Sequence, residues 1–327
     1  MTGDRLLLIG DNPFHGVSHL SQARARSRQA GITTPARTSG VVAAAVESGA
    51  NGFLFSVNET TLTILATLRQ TQQLPVGLYA IVPYSYEYVR SAIALGGIQG
   101  VARKVGREIV LAGNWRALLD GARGTVTGNP QALLRAYLTY EVGRLRAAAG
   151  SKAPVASVLL HEVVTDMALA LEMDWVFKAF VRSLRALGVM PGFDTRNLPT
   201  LVRRLRAWGV ETRGLVFAAP FNAAGFQMSP SREACEQTLA DLPGATVIAF
   251  SVLAAGYLSL PEAAEYVAGM PRLDGVAIGV STTEQARSTF AVFRDALRRR
   301  VGHPAGSGPP GHELVPGNYE AVGGRSS

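Results

Sequence analysis

Short runs of apolar and β-branched residues recur along the chain, separated by longer stretches in which apolar positions return every three or four residues. The first pattern suits strands and the second amphipathic helices. The runs predict eight strands, at residues 6–9, 52–56, 76–82, 155–160, 189–193, 214–218, 246–250 and 275–280. The clearest helical stretches are 41–48, 174–187, 198–208, 231–242 and 283–300. Their ends carry the expected punctuation: Ser229-Pro230-Ser231 precedes one helix, and Gly188 and Gly209 each follow another.

Strands alternating with helices are the mark of parallel βα units. Eight such units close most simply into an α/β fold of the (β/α)8 TIM barrel type, predicted as one domain over residues 1–300. The competing open nucleotide-binding sheet expects a glycine fingerprint after its first strand. The chain instead reads Gly10-Asp11-Asn12-Pro13-Phe14-His15-Gly16 there. Residues 85–153 form a long β3–β4 insertion, an enlarged βα connection expected to lie over the mouth, with helices near 86–95 and 130–148. Residues 108–113 within it read equally well as strand or helix. The tail, 301–327, is rich in Gly, Pro and Ser and is expected to be disordered.

Composition narrows the classes of function. Apolar residues make up 47% of the 327 and charged residues 17%, enough to build a large core. A single cysteine, Cys235, excludes a disulfide framework and a cysteine metal cluster. No apolar run reaches the length of a membrane span, so a cytoplasmic protein with no membrane partner is expected. The net charge of +8 would suit nucleic acid. Only three of the 32 basic residues are lysines, however, and the arginines are spread over helix faces without interleaved aromatics. A small-molecule substrate is therefore expected rather than nucleic acid, and the pattern does not specify an oligomeric state.

Barrel enzymes hold their chemistry where strands end and βα loops begin. Polar candidates in those positions include Asp11, Asn12 and His15 after strand one, Tyr84 and Tyr86 after strand three, and His161 and Glu162 after strand four. Asp194 follows strand five, Asn222 lies beyond strand six, and Ser251 and Ser281 follow strands seven and eight. His161 reads as an acid, base or hydrogen-bond donor or as a satisfied structural histidine, and Glu162 as a partner for an arginine. Asp11 either serves the site from a stiff loop or caps its own turn. His15, His161, Asp11 and Asp194 have the donor types of a zinc, iron or manganese site, but no His-x-His or His-Glu-x-x-His spacing supports one, and no metal is assigned. Lys104, Lys152 and Lys178 all fall outside the strands, which excludes a Schiff-base lysine inside the barrel.

Two segments of the last third resemble the aldo-keto reductase superfamily. Ile248-Ala249-Phe250-Ser251-Val252-Leu253-Ala254-Ala255-Gly256-Tyr257-Leu258 is similar to that family's strand-seven segment. Ile278-Gly279-Val280-Ser281-Thr282-Thr283-Glu284-Gln285 is similar to its strand-eight phosphate loop. His161, after Val158-Leu159-Leu160, falls where the family has its strand-four histidine. The resemblance implies NAD(P)H across the barrel mouth, held by Ser251, Leu253, Gly279, Ser281, Thr282 and Gln285. A Gly-x-Ser turn opening a helix is a sound phosphate site in its own right.

The family's catalytic pattern departs at the other positions. Its aspartate after strand two is missing from Ser56-Val57-Asn58, and its lysine after strand three from Pro83-Tyr84. Ala218 stands for its strand-six glutamine, and Thr282 for the arginine that reads a 2′-phosphate. The resemblance thus implies a small-molecule enzyme, an oxidoreductase of carbonyls or hydroxyls, with His161 and Tyr84 handling the proton. Two alternatives stay open. One is a redox-independent lyase or isomerase using Asp11, His15, His161 and Asp194, metal-assisted or not; the other is a barrel that binds a ligand without catalysis.

Overall fold

The computed structural model describes residues 5–15, 34–71, 77–83, 129–150, 153–270 and 272–301. Eight parallel strands close into a barrel in sequence order: β1 (Leu6–Gly10), β2 (Gly52–Ser56), β3 (Gly77–Val82), β4 (Val155–Leu160), β5 (Met190–Asp194), β6 (Val216–Pro220), β7 (Thr246–Phe250) and β8 (Gly275–Gly279). Closure comes from β1 pairing with β8, in register from Leu6↔Gly275 to Gly10↔Gly279. The helices outside are α1 (Pro35–Glu47), α2 (Glu59–Gln70), α3 (Pro130–Ala149), α4 (Glu162–Ala170), α5 (Asp174–Ala186), α6 (Leu198–Ala207), α7 (Arg232–Ala240), α8 (Leu260–Ala268) and α9 (Thr283–Val301). The fold is the (β/α)8 barrel that the hydrophobic pattern predicts.

Strand alternation splits the core in two. One set of side chains (Leu8, Leu54, Tyr79, Ile81, Leu159, Val216, Ala218, Ile248 and Ala277) fills the barrel. The larger set lies between barrel and helices, where Phe193 of β5 meets Phe177 and Phe180 of α5 at centroid distances of 5.4 and 5.7 Å. Helix starts are fixed by their own side chains: Asn58 and Thr61 form a capping box on α2, Asn197 caps α6, and Ser231 accepts from Ala234 N–H on α7.

Two strand starts differ from the sequence expectation. β5 begins at Met190 because Val189 N–H returns to Leu184 O, closing the end of α5. β6 begins at Val216 because Gly214, with φ of +73°, and Leu215 are still in a turn. The sequence pattern under-reads α2, α4 and α8: threonines interrupt the apolar stripe of α2, and the other two are nine residues each. Residues 84–128 and 302–327 lie outside the described residues. So do the helix expected near 86–95 and the disordered tail, whereas the helix expected at 130–148 is α3. Among the described residues no helix is long and apolar enough to cross a membrane.

Phe193 is fully buried between α5 and β6, so Phe193→Ala should cost about 3–5 kcal/mol. Urea unfolding should show this as a lower midpoint at unchanged slope.

Candidate active site at the C-terminal rim

Because all eight strands run the same way, every loop that follows a strand opens at one rim. Asp11, His161, Asp194, Ser251 and Ser281 therefore belong to the same end of the barrel, as does the backbone of His15, in a 3-10 turn over Asn12–His15. Tyr84 and the side chain of His15 lie outside the described residues.

His161 sits where β4 passes into α4. Its N–H continues the β3–β4 ladder to Val82 O, and its ring caps the helix, Nδ1 accepting from Val163 N–H at 3.2 Å. An Nδ1 that accepts carries no proton, so the neutral ring holds its proton on Nε2. Burial holds the imidazole below its ordinary pKa; the carboxylates of Glu162 and Asp11 oppose that shift, and Arg196 adds to it. Asp11 is buried, and its Oδ2 accepts from Ser56 N–H at 2.7 Å. The β1 loop thus places a carboxylate over the end of β2, the strand whose own sequence lacks an aspartate there. Asp11 links the loop after β1 to the end of β2, while Asn12 is exposed.

Beside His161 stands a group of carboxylates that share a single guanidinium. Glu162 binds Arg196 through two bonds, to Nε at 2.7 Å and to Nη2 at 2.9 Å, the arginine partnership expected of it. Asp166, one turn further along α4, accepts from the Thr195 hydroxyl and from Arg196 N–H at 3.2 Å. Asp194 ends β5 and is 8% exposed, and its Oδ1 is buried with no hydrogen-bond partner. Burial drives its pKa well above the usual carboxylate range; the charges of Glu162 and Asp166 add to the rise, and Arg196 and the Glu162 N–H only partly offset it. Asp166 was missed in the sequence, although its place four residues after Glu162 puts both on one helix face.

The other side of the rim is built differently. Asn222, fully buried, accepts from Phe226 N–H at 2.8 Å and donates to Phe226 O and Ser251 O, which makes it a brace between the loops after β6 and β7. Ser251 stands at φ +52° and its hydroxyl contacts Gln227 Oε1 at 3.3 Å; the side chain of Leu253 packs onto the outer core. After β8, Gln285 Oε1 accepts from Ser281 N–H at 2.9 Å, and Thr282 Oγ1 accepts from Gln285 N–H at 3.1 Å. Gly279 is exposed, and a Cβ there would come within 2.9 Å of Pro13, so a side chain would collide with the β1 loop.

These residues fit a dinucleotide phosphate. An acceptor oxygen already occupies the Ser281 N–H, and it belongs to Gln285, an exposed side chain able to swing away. The first turn of α9 also has N–H groups free of the helical ladder. Ala218, in place of a strand-six glutamine, is an apolar residue of the barrel interior. Among the described residues no group of three or more His, Cys, Asp or Glu side chains is arranged to hold a metal ion. Tyr79 is the buried interior tyrosine; burial and the charge of Asp274, which precedes β8 at the opposite end, push its pKa up.

No protein-family model and no curated protein matches the chain. Its fold is similar to that of a protein from Pseudomonas aeruginosa described as a candidate aldo-keto reductase, at a TM-score of 0.54 and 15% identity over 89% of this chain and 90% of that one. A second solved structure so described, from the same organism, matches at a TM-score of 0.53 and 16% identity over the same shares of the two chains. The likeness is one of fold, the closed (β/α)8 barrel.

Two predictions follow from the rim chemistry. His161→Ala removes a helix cap and should lower stability by about 1 kcal/mol in denaturant unfolding. A raised native pKa means that the folded protein holds the Asp194 proton more tightly than the unfolded chain. That contribution is complete below the unfolded value, near 3.8, and is lost as pH rises through the native one. Asp194→Asn carries no such loss, so its stability relative to wild type should rise with pH when the two are melted in parallel.

Proposed function

We propose that the protein is an oxidoreductase that interconverts a carbonyl and a hydroxyl of a small molecule at the C-terminal rim, with NAD(P)H as cofactor. The observation that carries this reading is the tautomer of His161. With Nδ1 accepting from Val163 N–H, the ring offers an N–H donor from Nε2, the group that polarises a carbonyl oxygen. Asp11, anchored on Ser56 N–H, sets a carboxylate near the ring that opposes the lowering of its pKa by burial.

Ser251, Gly279, Ser281, Thr282 and Gln285, with the backbone at Leu253, are the residues that would hold the cofactor. When bound, it supplies the hydride. The chain's own residues bind its phosphates through backbone N–H groups and hydroxyls. No lysine or arginine lies between Val280 and Ala286, so no charge there selects a 2′-phosphate. A further proton-handling candidate from the sequence, Tyr84, remains part of the proposal, as does His15. The partner is a small-molecule substrate, in a setting free of membrane and nucleic acid.

Fluorescence titration of the purified protein tests the reading. NADH and NADPH should both bind with micromolar affinity, roughly 8 kcal/mol, and with little preference between them. Ser281→Asp should weaken binding by setting a carboxylate against the pyrophosphate. His161→Ala should spare binding and lower turnover of a carbonyl panel by about 10²–10⁴-fold. Absence of binding at millimolar cofactor overturns the reading in favour of the redox-independent lyase or isomerase. Binding without turnover on a broad panel favours the non-catalytic barrel.

A further inference from the structure

The rim carries one buried group that the proposed reaction has not yet used. The β4–β5 register runs Leu159↔Gly192 and Leu160↔Phe193, so the next step sets His161 beside Asp194. Adjacent strands lie about 4.8 Å apart, and on β5 the inward positions alternate from Gly192 to Asp194. The inward direction at Gly192 is fixed by its neighbours: a Cβ there would point at Leu159 Cγ, a residue of the barrel interior. Asp194 therefore occupies the last inward place of β5, next to the histidine at the end of β4.

We propose that the Asp194 carboxyl group is the proton donor of the site and delivers its proton to the substrate oxygen that His161 polarises. This rests on the carbonyl reading above and adds the acid it needs.

Three features carry the assignment. The first is satisfaction of hydrogen bonds. Among the described residues Asp194 Oδ1 has no partner, and leaving a buried polar atom unmatched is costly. A substrate oxygen arriving at the rim is an acceptor for an O–H on that carboxyl. The second is the division of the available positive charge. Glu162 on α4 takes both Nε and Nη2 of Arg196, and Asp166 takes the Arg196 N–H and the Thr195 hydroxyl. Among the described residues Asp194 faces those two carboxylates and that one guanidinium, and Glu162 already holds the guanidinium through two bonds, which favours the uncharged carboxyl; its raised pKa agrees. The third is shielding: at 8% exposure, with Oδ1 itself buried, the carboxyl at the end of β5 is kept from bulk water.

The step balances simply. With the hydride that a bound cofactor would supply at the carbonyl carbon, the substrate oxygen would gain electron density and form a bond to the Asp194 proton. The electron pair of the broken O–H bond stays on the aspartate, beside Arg196 and the Glu162 N–H, and water then restores the proton. In the oxidation direction the carboxylate takes the proton back.

The test has two arms on the full-length protein. In the first, carboxyl 13C NMR, with Asp194→Asn used for assignment, follows Asp194 through a pH titration of the free enzyme. A carboxyl still protonated at neutral pH is expected, and one that titrates in the ordinary aspartate range overturns the proposal. In the second, kcat is measured against pH on a carbonyl that wild type turns over. Wild-type kcat should fall as pH rises through the pKa read by NMR. Asp194→Asn should lose about 10²–10⁴-fold in kcat with KM little changed, and should lose the alkaline limb. Asp194→Glu, which keeps an acid, should recover part of the rate. If Asp194→Asn matches wild type in rate and profile, the acid role falls while the carbonyl reading stands. If wild type turns over no carbonyl in the panel, both fall together. Circular dichroism melts of each variant separate lost folding from lost chemistry, and Asp194→Glu, which also lacks the Asp194 resonance, supplies the assignment for the wild-type titration if the asparagine variant does not fold.

Discussion

The pairing of β1 with β8 is the constraint on which the rest of the structure depends. With all strands parallel, closure brings the ends of eight strands to one rim, although those ends are far apart in sequence. It also separates the two faces of every strand. Alternate side chains fill a narrow apolar interior, and the others meet the helices. A strand that slipped by one residue would exchange these faces, turning His161 or Asp194 away from the mouth. Hydrophobic burial therefore fixes register, and register fixes which polar groups can meet.

Electrostatics among the described residues of the rim follows from three carboxyl groups placed around one arginine. Glu162, Asp166 and Asp194 lie around Arg196, whose planar guanidinium can satisfy one carboxylate through two parallel bonds. Glu162, half-buried and nearest the solvent, takes that pairing. Asp166 makes do with a hydroxyl and a backbone N–H. Asp194, the most deeply placed of the three, has no bonded cation among the described residues, and burial with two neighbouring carboxylates raises its pKa. Across the mouth Asp11 is held by a backbone N–H of β2. Acidic groups with different hydrogen-bond partners thus converge near one histidine.

The opposite side of the rim relies on backbone conformation more than on charge. Ser251, Ala254 and Ala255 all adopt positive φ without being glycine, a strain that only well-packed surroundings maintain. Asn222 supplies part of that support by bonding to both Phe226 and Ser251. At β8 the missing side chain of Gly279 admits Pro13, tying the first and last units of the barrel together at the point where the ring closes. The loops with a phosphate-binding look are thereby held against the same closure that positions His161.

The eight strands, most helices and the rim candidates are legible in the sequence because they rest on local periods and local signals. Ser231 caps α7, Gly188 and Gly209 follow their helices at positive φ, and Glu162 finds an arginine as its position suggests. Local pattern did not reveal that Asp11 reaches over β2, that Asp166 joins the cluster, or that Glu162 rather than Asp194 wins Arg196. Nor could the sequence show which nitrogen of His161 carries the proton, since that depends on the bond from Val163 N–H. The physical reason is common to all four. Hydrophobic periodicity is written in neighbouring residues, but burial, competition for one cation and the choice of tautomer depend on groups that meet only when the barrel has closed.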